Sequence, residues 1–289
     1  MSKKDIAQRF LFDDTDIRGE ITSLDSSFRE ALAAHNYPLP VRALLGELVA
    51  AAVLLSSTLK FEGILSLQAK GDGPLSLLMV ECTDQKTFRA LARWEGELKG
   101  EGLSSLLGQG QMVMTIDPHK GNRYQGIVPL HHDSLADSLA QYFEQSEQLP
   151  TRFWLTSNGD QCRGMLLQAM PASVEPDAHK RDESWARITL FADTVKEQEM
   201  LELDTESLLT RLFQEEEVRL FDAEPVSFSC NCSRQRSARI IQGLGREEAE
   251  SIVAEQGQLS MDCQFCSQQY IFDASDVQAI FDNREPRPH

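Results

Sequence analysis

The sequence predicts an α+β protein in three parts. Residues 1–177 form a large N-terminal domain with mostly antiparallel sheets and packed helices, 178–229 a helical linker, and 230–289 a small C-terminal domain. Three observations predict this. Strand-like and helix-like patterns follow one another in mixed order over the first part, which suits antiparallel sheets better than a regular βαβ series. Pro171 and Pro176 mark a change to a more densely acidic composition. Four of the six cysteines are gathered near the C-terminus in two tight pairs, Cys230/Cys232 and Cys263/Cys266.

Residues 6–12 and 17–24 read as two strands around an Asp13-Asp14-Thr15-Asp16 turn. Asp25 or Ser26 is placed to cap a helix running to about His35, which Tyr37-Pro38-Leu39-Pro40 then breaks. Residues 41–58 form a second helix, apolar nearly all round and therefore buried. Its most apolar part, 43–55, carries Glu47 and falls short of the roughly 20 residues a membrane span needs. Residues 63–70 alternate as a strand, Gly71-Asp72-Gly73-Pro74 turns, and 75–82 is an apolar strand ending in Cys82, a core thiol. Glycines crowd the stretch from Trp94 to Tyr124, but neither Gly-x-x-x-x-Gly-Lys-Ser/Thr nor Gly-x-Gly-x-x-Gly occurs. Strands at 112–116 and 124–130, a helix at 134–145, and a hairpin of 153–157 with 164–170 around Asn158-Gly159 complete the domain. Cys162, beside that turn, is expected to be exposed.

Residues 178–229 carry 13 acids and 6 bases, a net charge of −7; residues 1–177 carry 23 acids and 16 bases, the same net charge over more than three times the length. Leu201, Leu208, Leu209, Leu212 and Phe213 recur at helical spacing, with Asp204 or Thr205 as the cap and Glu206 near the helix's positive end. The apolar stripe gains by packing on the large domain. The like charge, densest at Glu215-Glu216-Glu217, opposes compaction. Together they describe a marginally stable linker.

In the last part, 233–244 and 246–255 read as short helices stopped by Gly243, Gly245 and Gly257. Residues 259–262 and 270–272 make a hairpin with Cys263-Gln264-Phe265-Cys266 at its tip, Ser275 caps a last helix to about Asp282, and 284–289 is a frayed tail. A Cys-x-Cys and a Cys-x-x-Cys pair separated by thirty residues offer four thiolates. Zn²⁺ takes four of them tetrahedrally at roughly 2.3 Å, leaving no open position, so the metal would be structural. Ordinary disulfides are one alternative, and they belong to oxidising compartments. Four buried thiols are another, but these need no paired spacing. The first ten residues lack the apolar core of an export signal. Zinc on Cys230, Cys232, Cys263 and Cys266 in a reducing cytoplasm therefore fits best. Neighbouring sulfurs on such a tetrahedron lie roughly 3.8 Å apart, against about 2.05 Å in a disulfide. Metal binding and disulfide formation are mutually exclusive states of the same atoms.

Glu215-Glu216-Glu217-Val218 followed by Cys230-Asn231-Cys232-Ser233-Arg234, and then Met261-Asp262-Cys263-Gln264-Phe265-Cys266 and Tyr270-Ile271-Phe272, resemble the 33 kDa chaperonin family, the redox-regulated heat-shock holdase of bacteria. The length and the C-terminal position of the cysteines match too. The resemblance implies a cytoplasmic, ATP-independent chaperone rather than an enzyme. Reduced, with one zinc per chain on the four cysteines, it would be quiet. Oxidised, with zinc released and two local disulfides formed, it would act as a homodimer that holds unfolding or oxidatively damaged proteins. Hypochlorite, or peroxide with heat, would activate it, and clients would contact the linker and the N-terminal domain. Four cysteines allow three pairings. Closure within each pair orders the smallest loop, so Cys230–Cys232 and Cys263–Cys266 are expected.

The net charge of −17 repels nucleic acid and anionic membranes, so neither is an expected partner. Arg234, Arg236 and Arg239 beside the cysteines nonetheless keep one rival open, a zinc-ribbon-type nucleic-acid-binding protein. His131-His132-Asp133-Ser134 is no catalytic triad, because a triad is assembled from sequence-distant groups. A structural zinc site supplies about 10–16 kcal/mol in small fingers, comparable with the about 5–15 kcal/mol that stabilises a whole domain. A module of about 60 residues has little core of its own. Loss of the metal is expected to unfold it and to withdraw a neighbour that holds the linker down.

Overall fold

A computed structural model describes residues 5–282; the tail expected at 284–289 lies outside them. The chain divides into two compact units, the first ending at Ser229 and the second beginning at Cys230.

The first unit opens with β1 (Ile6–Phe12), β2 (Ile17–Leu24), α1 (Ser26–Leu32) and α2 (Leu39–Thr58). There follow β3 (Gly63–Gly71), β4 (Leu75–Thr83), β5 (Thr87–Trp94), α3 (Leu103–Leu107), β6 (Gly110–Pro118) and β7 (Tyr124–Leu130). Then come α4 (Leu135–Tyr142), which runs on into a π turn at Phe143–Glu147, and the hairpin of β8 (Thr151–Ser157) and β9 (Cys162–Ala169). The acid-rich segment supplies α5 (Ala178–Ala192), α6 (Glu197–Glu202) and α7 (Thr205–Phe213), and also three short strands, β10 (Val218–Leu220), β11 (Glu224–Pro225) and β12 (Ser227–Phe228).

These strands make two sheets. The first has the order β10-β1-β2-β9-β8, with β11 also on β1; the second has the order β12-β5-β4-β3-β6-β7. The sheets are antiparallel except where β12 runs parallel to β5. The fold is thus α+β with largely antiparallel sheets, and the acid-rich segment adds strands to both.

Helix α2 lies against both sheets, touching β2, β8 and β9 of the first and β3, β4 and β5 of the second. That explains a helix that is apolar on every side. It is long and apolar enough to cross a membrane, yet 72% of its most apolar window is buried inside the protein. The expected break at residues 37–40 is instead its start. Pro40 sits in the first turn, where an amide has no intrahelical partner to lose, and Arg42 N donates to Pro38 O at 3.0 Å. The start of α1 is also satisfied from elsewhere. Asp25 holds the cap position without capping, while Asp5 Oδ1, at the foot of β1, accepts from the amides of Ser27 (3.0 Å) and Asp25 (2.8 Å).

The first sheet buries both faces. The inner face joins α2 in the main core through Leu24, Phe153, Cys162 and Leu166. The outer face presents Phe10, Phe12, Ile17, Ile21, Met165 and Leu167, covered by Ile188, Met200, Leu208, Leu209, Leu212 and Phe213 of α5–α7. Phe213 meets Phe12 edge-on at 5.0 Å and lies 6.2 Å from Phe10. Phe10 pairs with Gly19 across β1 and β2, and its ring occupies the space a Cβ at Gly19 would need. Asp204 caps α7 as expected, accepting from Ser207 N at 2.9 Å. Asp16 pins the entry to the acid-rich segment. Its carboxylate accepts from the amides of Ser173 and Val174 at 2.8 Å and of Glu175 at 3.1 Å, and from the Ser173 hydroxyl at 3.0 Å.

The second unit comprises α8 (Arg234–Leu244), α9 (Arg246–Gln256), β13 (Leu259–Asp262), β14 (Gln269–Phe272) and α10 (Ala274–Asp282). Its core is six buried side chains: Ile241, Ala249, Val253, Leu259, Phe272 and Val277. Gly257 ends α9 in the left-handed conformation expected of it, with φ +79°. The cap of α10 is Asp273 rather than Ser275. Asp273 Oδ1 accepts from Asp276 N at 2.8 Å and from the Ser275 hydroxyl at 2.7 Å.

Candidate metal centre

The β13–β14 hairpin carries two of the cysteines. Its last pair is Asp262 with Gln269, and beyond it the chain closes a tight turn. Cys263 N donates to Gln268 O at 2.9 Å, and Ser267 N donates to Cys263 O at 2.8 Å. Ser267 accepts a left-handed φ of +55° to complete the turn, a conformation that costs a non-glycine residue roughly 1–2 kcal/mol. The other two cysteines precede α8. Ser233 caps that helix, accepting from Arg236 N at 3.2 Å, so the chain turns into the helix directly after Cys232.

The four sulfurs of Cys230, Cys232, Cys263 and Cys266 lie within 4.8 Å of one another, and all four residues are half-buried. Cys230 Sγ is 3.6 Å from Cys263 Sγ, and Cys232 Sγ is 3.5 Å from Cys266 Sγ. These separations match the roughly 3.8 Å edge of a zinc tetrathiolate and are far too long for a disulfide of about 2.05 Å. Burial first, and then the crowding sulfurs, push the Cys266 thiol well above its ordinary value, although a hydrogen bond from the Gln268 amide opposes them. Four thiolates packed this closely repel unless a cation lies among them. A donor set of sulfur alone suits zinc better than magnesium or calcium, which prefer oxygen ligands. The residues fit a structural zinc ion.

Two neighbours complete the site. Tyr270, on β14, donates its hydroxyl to Cys232 Sγ at 3.2 Å. Arg234 donates to Ile271 O at 2.5 Å, pairs with Asp276 at 2.7 Å and lies 4.3 Å from the centre of the Phe272 ring. The first arginine of the expected basic patch thus staples α8 to β14 and α10, while Arg236 and Arg239 are exposed on α8. Sequence reasoning missed Tyr270. Its signal is the strand alternation of Tyr270-Ile271-Phe272 so soon after a Cys-x-x-Cys turn.

The remaining cysteines lie apart. Cys82 is in the core as expected, with its sulfur 3.3 Å from the Ser56 hydroxyl and its thiol raised by burial to about 11. Cys162, expected to be exposed, is fully buried, because β9 already begins at this residue, which pairs with Leu24 and Ser157 and shares the inner face with Leu166. His132 contacts Gln141 at 3.2 Å, not Ser134, which instead caps α4.

The family profile described as Hsp33 protein matches residues 5–273. A 33 kDa chaperonin of Pseudomonas aeruginosa (strain LESB58) is 51% identical over 284 residues, spanning 97% of this chain and 96% of that one. The 33 kDa chaperonin of Azotobacter vinelandii (strain DJ / ATCC BAA-1303) gives the same identity and coverage. The crystal structure of a Hsp33 homologue from Thermotoga maritima shares the fold, with a TM-score of 0.82 over 96% of this chain and 98% of that one at 21% identity. With half its residues identical to those relatives over nearly its whole length, the chain belongs to the Hsp33 family.

Proposed function

We propose that this chain is an ATP-independent chaperone of the cytoplasm, switched on by oxidation of Cys230, Cys232, Cys263 and Cys266. The observation that carries the reading is the cluster of four thiols within 4.8 Å in a unit whose core is six side chains. Zinc held by these four sulfurs would cross-link the start of α8 to the β13–β14 turn and supply folding energy the small core lacks. Oxidation takes two electrons from each thiol pair. A disulfide sulfur is no longer a thiolate ligand, so the oxidised chain loses both its metal and its cross-link.

Chain continuity carries the effect onward. Cys230 follows directly on Ser229, whose amide donates to Phe88 O at 2.9 Å beside the two-residue strand β12. Freed at this end, the acid-rich segment is held by its short strands, its apolar side chains on the outer sheet face, the Asp16 clamp at its entry, and side-chain bonds such as Arg152 to Asp193 and Arg163 to Leu203 O. Its release would bare Phe10, Phe12, Ile17, Ile21, Met165 and Leu167, six large apolar side chains on one sheet face. Such a patch suits unfolding or oxidatively damaged proteins as clients and a second copy of the chain in the active homodimer.

The test uses one sample of the full chain before and after peroxide treatment at elevated temperature. Expected are one zinc per reduced chain, its loss on oxidation, disulfides Cys230–Cys232 and Cys263–Cys266, and suppression of client aggregation only after oxidation. The six edges of the sulfur cluster are all short, so loop closure rather than distance decides the pairing. Full zinc content in a Cys263→Ser/Cys266→Ser variant, or equal chaperone activity in both redox states, overturns the reading.

A further inference from the structure

We propose that Tyr270 is a positioning residue for the thiolate of Cys232, orienting it and weakening it as a nucleophile toward oxidants. This rests on the oxidation-switched reading above. Four sulfurs share the cluster, and the Tyr270 hydroxyl reaches Cys232 at 3.2 Å. Its ring is half-buried against the core of the second unit, and its backbone is fixed opposite Met261 in the hairpin, so the hydroxyl is aimed rather than free to roam.

An O–H···S⁻ hydrogen bond spreads the charge of the thiolate that receives it and makes that sulfur a weaker nucleophile. Outer partners of this kind orient and tune metal ligands. The reaction they tune is balanced with hydrogen peroxide as oxidant. One thiolate attacks a peroxide oxygen; an S–O bond forms, the O–O bond breaks, and hydroxide leaves. The second thiolate of the pair attacks the resulting sulfenic sulfur; the S–S bond forms, the S–O bond breaks, and a second hydroxide leaves. Two protons convert the hydroxides to water. The two sulfurs lose two electrons and the peroxide gains them. Cys232 is slowed in either role, and the Tyr270 hydroxyl thereby slows closure of Cys230–Cys232 below the rate it would have without that donor.

The experiment reads each cysteine separately, by mass-resolved alkylation with iodoacetamide and by disulfide mapping under peroxide, on the full reduced chain. Tyr270→Phe keeps the ring and removes the donor. It is expected to raise alkylation of Cys232 and closure of Cys230–Cys232 about three- to tenfold, from a charge-assisted hydrogen bond attenuated by the modest sensitivity of thiolate attack to basicity, and to leave Cys263 within about twofold. A fluorinated tyrosine at 270, a stronger donor of nearly the same shape, is expected to shift both rates the other way, and it guards against misfolding of the phenylalanine variant. Unchanged Cys232 rates in both variants, or equal acceleration at all four cysteines, overturns the proposal. Zinc content and chaperone activity of the unsubstituted chain test the parent reading separately, because the alkylation rates report the hydrogen bond whether or not that reading holds.

Discussion

The two faces of the first sheet bury similar side chains against very different partners. The inner face packs on α2, a helix with one acidic residue and enclosed by a second sheet. The outer face packs on α5–α7, drawn from a segment with a net charge of −7. The apolar contact gains roughly the same per unit area on both sides. What differs is what must be undone to lose it. Opening the inner face means unfolding the domain, whereas opening the outer face means lifting one segment whose strands are two or three residues long. The difference teaches that a hydrophobic face can be stored under a cover rather than spent in a core.

The sharpest way to separate the faces is to make one cavity on each. Leu54, fully buried, packs its side chain against Gly164 of β9 on the inner side. Phe213 fills the space between Phe10 and Phe12 on the outer side. Leu54→Ala is expected to cost about 2–5 kcal/mol and Phe213→Ala about 3–5 kcal/mol. Their consequences should diverge. Leu54→Ala should lower the midpoint of global unfolding with little chaperone activity in the reduced state. Phe213→Ala should leave β1–β9 protected in hydrogen exchange, expose 178–229, and give partial activity without oxidant. Equal exchange throughout the first unit in both variants would show that the cover and the core unfold as one.

Asp16 gives the cover a fixed end. Burial works against its charge, but the amides of Val174, Glu175 and Ser173 outweigh it and hold the carboxyl below its ordinary value. The depressed value has a definite sign. The contribution is fully present above the ordinary carboxylate range and is lost only as pH falls below it, so at neutral pH the clamp is closed. Asp16→Ala strands three amides and is expected to cost about 1–3 kcal/mol. Exchange at 171–177 should rise first, ahead of α7.

Much of this was legible in the sequence, and the failures are physical. Long alternating or uniformly apolar stretches such as 6–12, 63–70 and 41–58 were placed to within a few residues, because burial on one face or all round leaves a clear period. The cysteine spacing led to the one sulfur cluster found among the described residues. β5 leaves no clear period because its core positions include Ala90 and Ala92, which are small, Leu91 between them is buried as well, and charged Arg89 and Arg93 flank the three. β10, β11 and β12 are too short to show any alternation, and their pairing comes from partners two hundred residues away for β1. Caps supplied through space, such as Asp5 for α1, leave no local pattern at all.

Two buried carboxylates set the opposite pH response. Burial, and then the charge of Glu197 on α6, raise Glu47 from 4.5 to about 7. Burial raises Glu20 to about 7 as well, despite Arg9 at 3.7 Å. A raised value means the folded state favours the neutral acid. The stability is fully present below about pH 4.5 and is lost as pH rises through about 7. The first unit should therefore be firmer at pH 5.5 than at pH 8. Glu47→Gln should recover about 1–2 kcal/mol at pH 8, after allowance for the water that still reaches this partly buried side chain, and flatten the dependence. Because Glu197 belongs to the cover, the same variant should delay activation by oxidant. A pH-independent activation time in the unsubstituted chain between pH 5.5 and 8 would count against this coupling.

The smallest expected effects lie in Glu215-Glu216-Glu217, which the sequence presents as one block of repulsion. The structure divides it. Arg187 of α5 donates Nε to Glu216 Oε1 at 2.7 Å and its terminal amine to Oε2 at 3.2 Å, and the Glu216 side chain is only 11% exposed. Glu215 and Glu217 are exposed. Glu216 therefore fastens α5 to the end of α7, whereas its neighbours add charge to an already acidic segment. Glu215→Gln and Glu217→Gln together should stabilise docking of the segment by a few tenths of a kcal/mol and lengthen the lag before activation slightly. Glu216→Gln should do the reverse, costing up to about 1 kcal/mol because the pair is fork-shaped and partly shielded. Raising salt should narrow the gap between the two variants, since the exposed charges are screened more than the shielded pair. If all three substitutions lengthen the lag alike, the Arg187 pair contributes nothing to holding the cover, and repulsion alone governs this stretch.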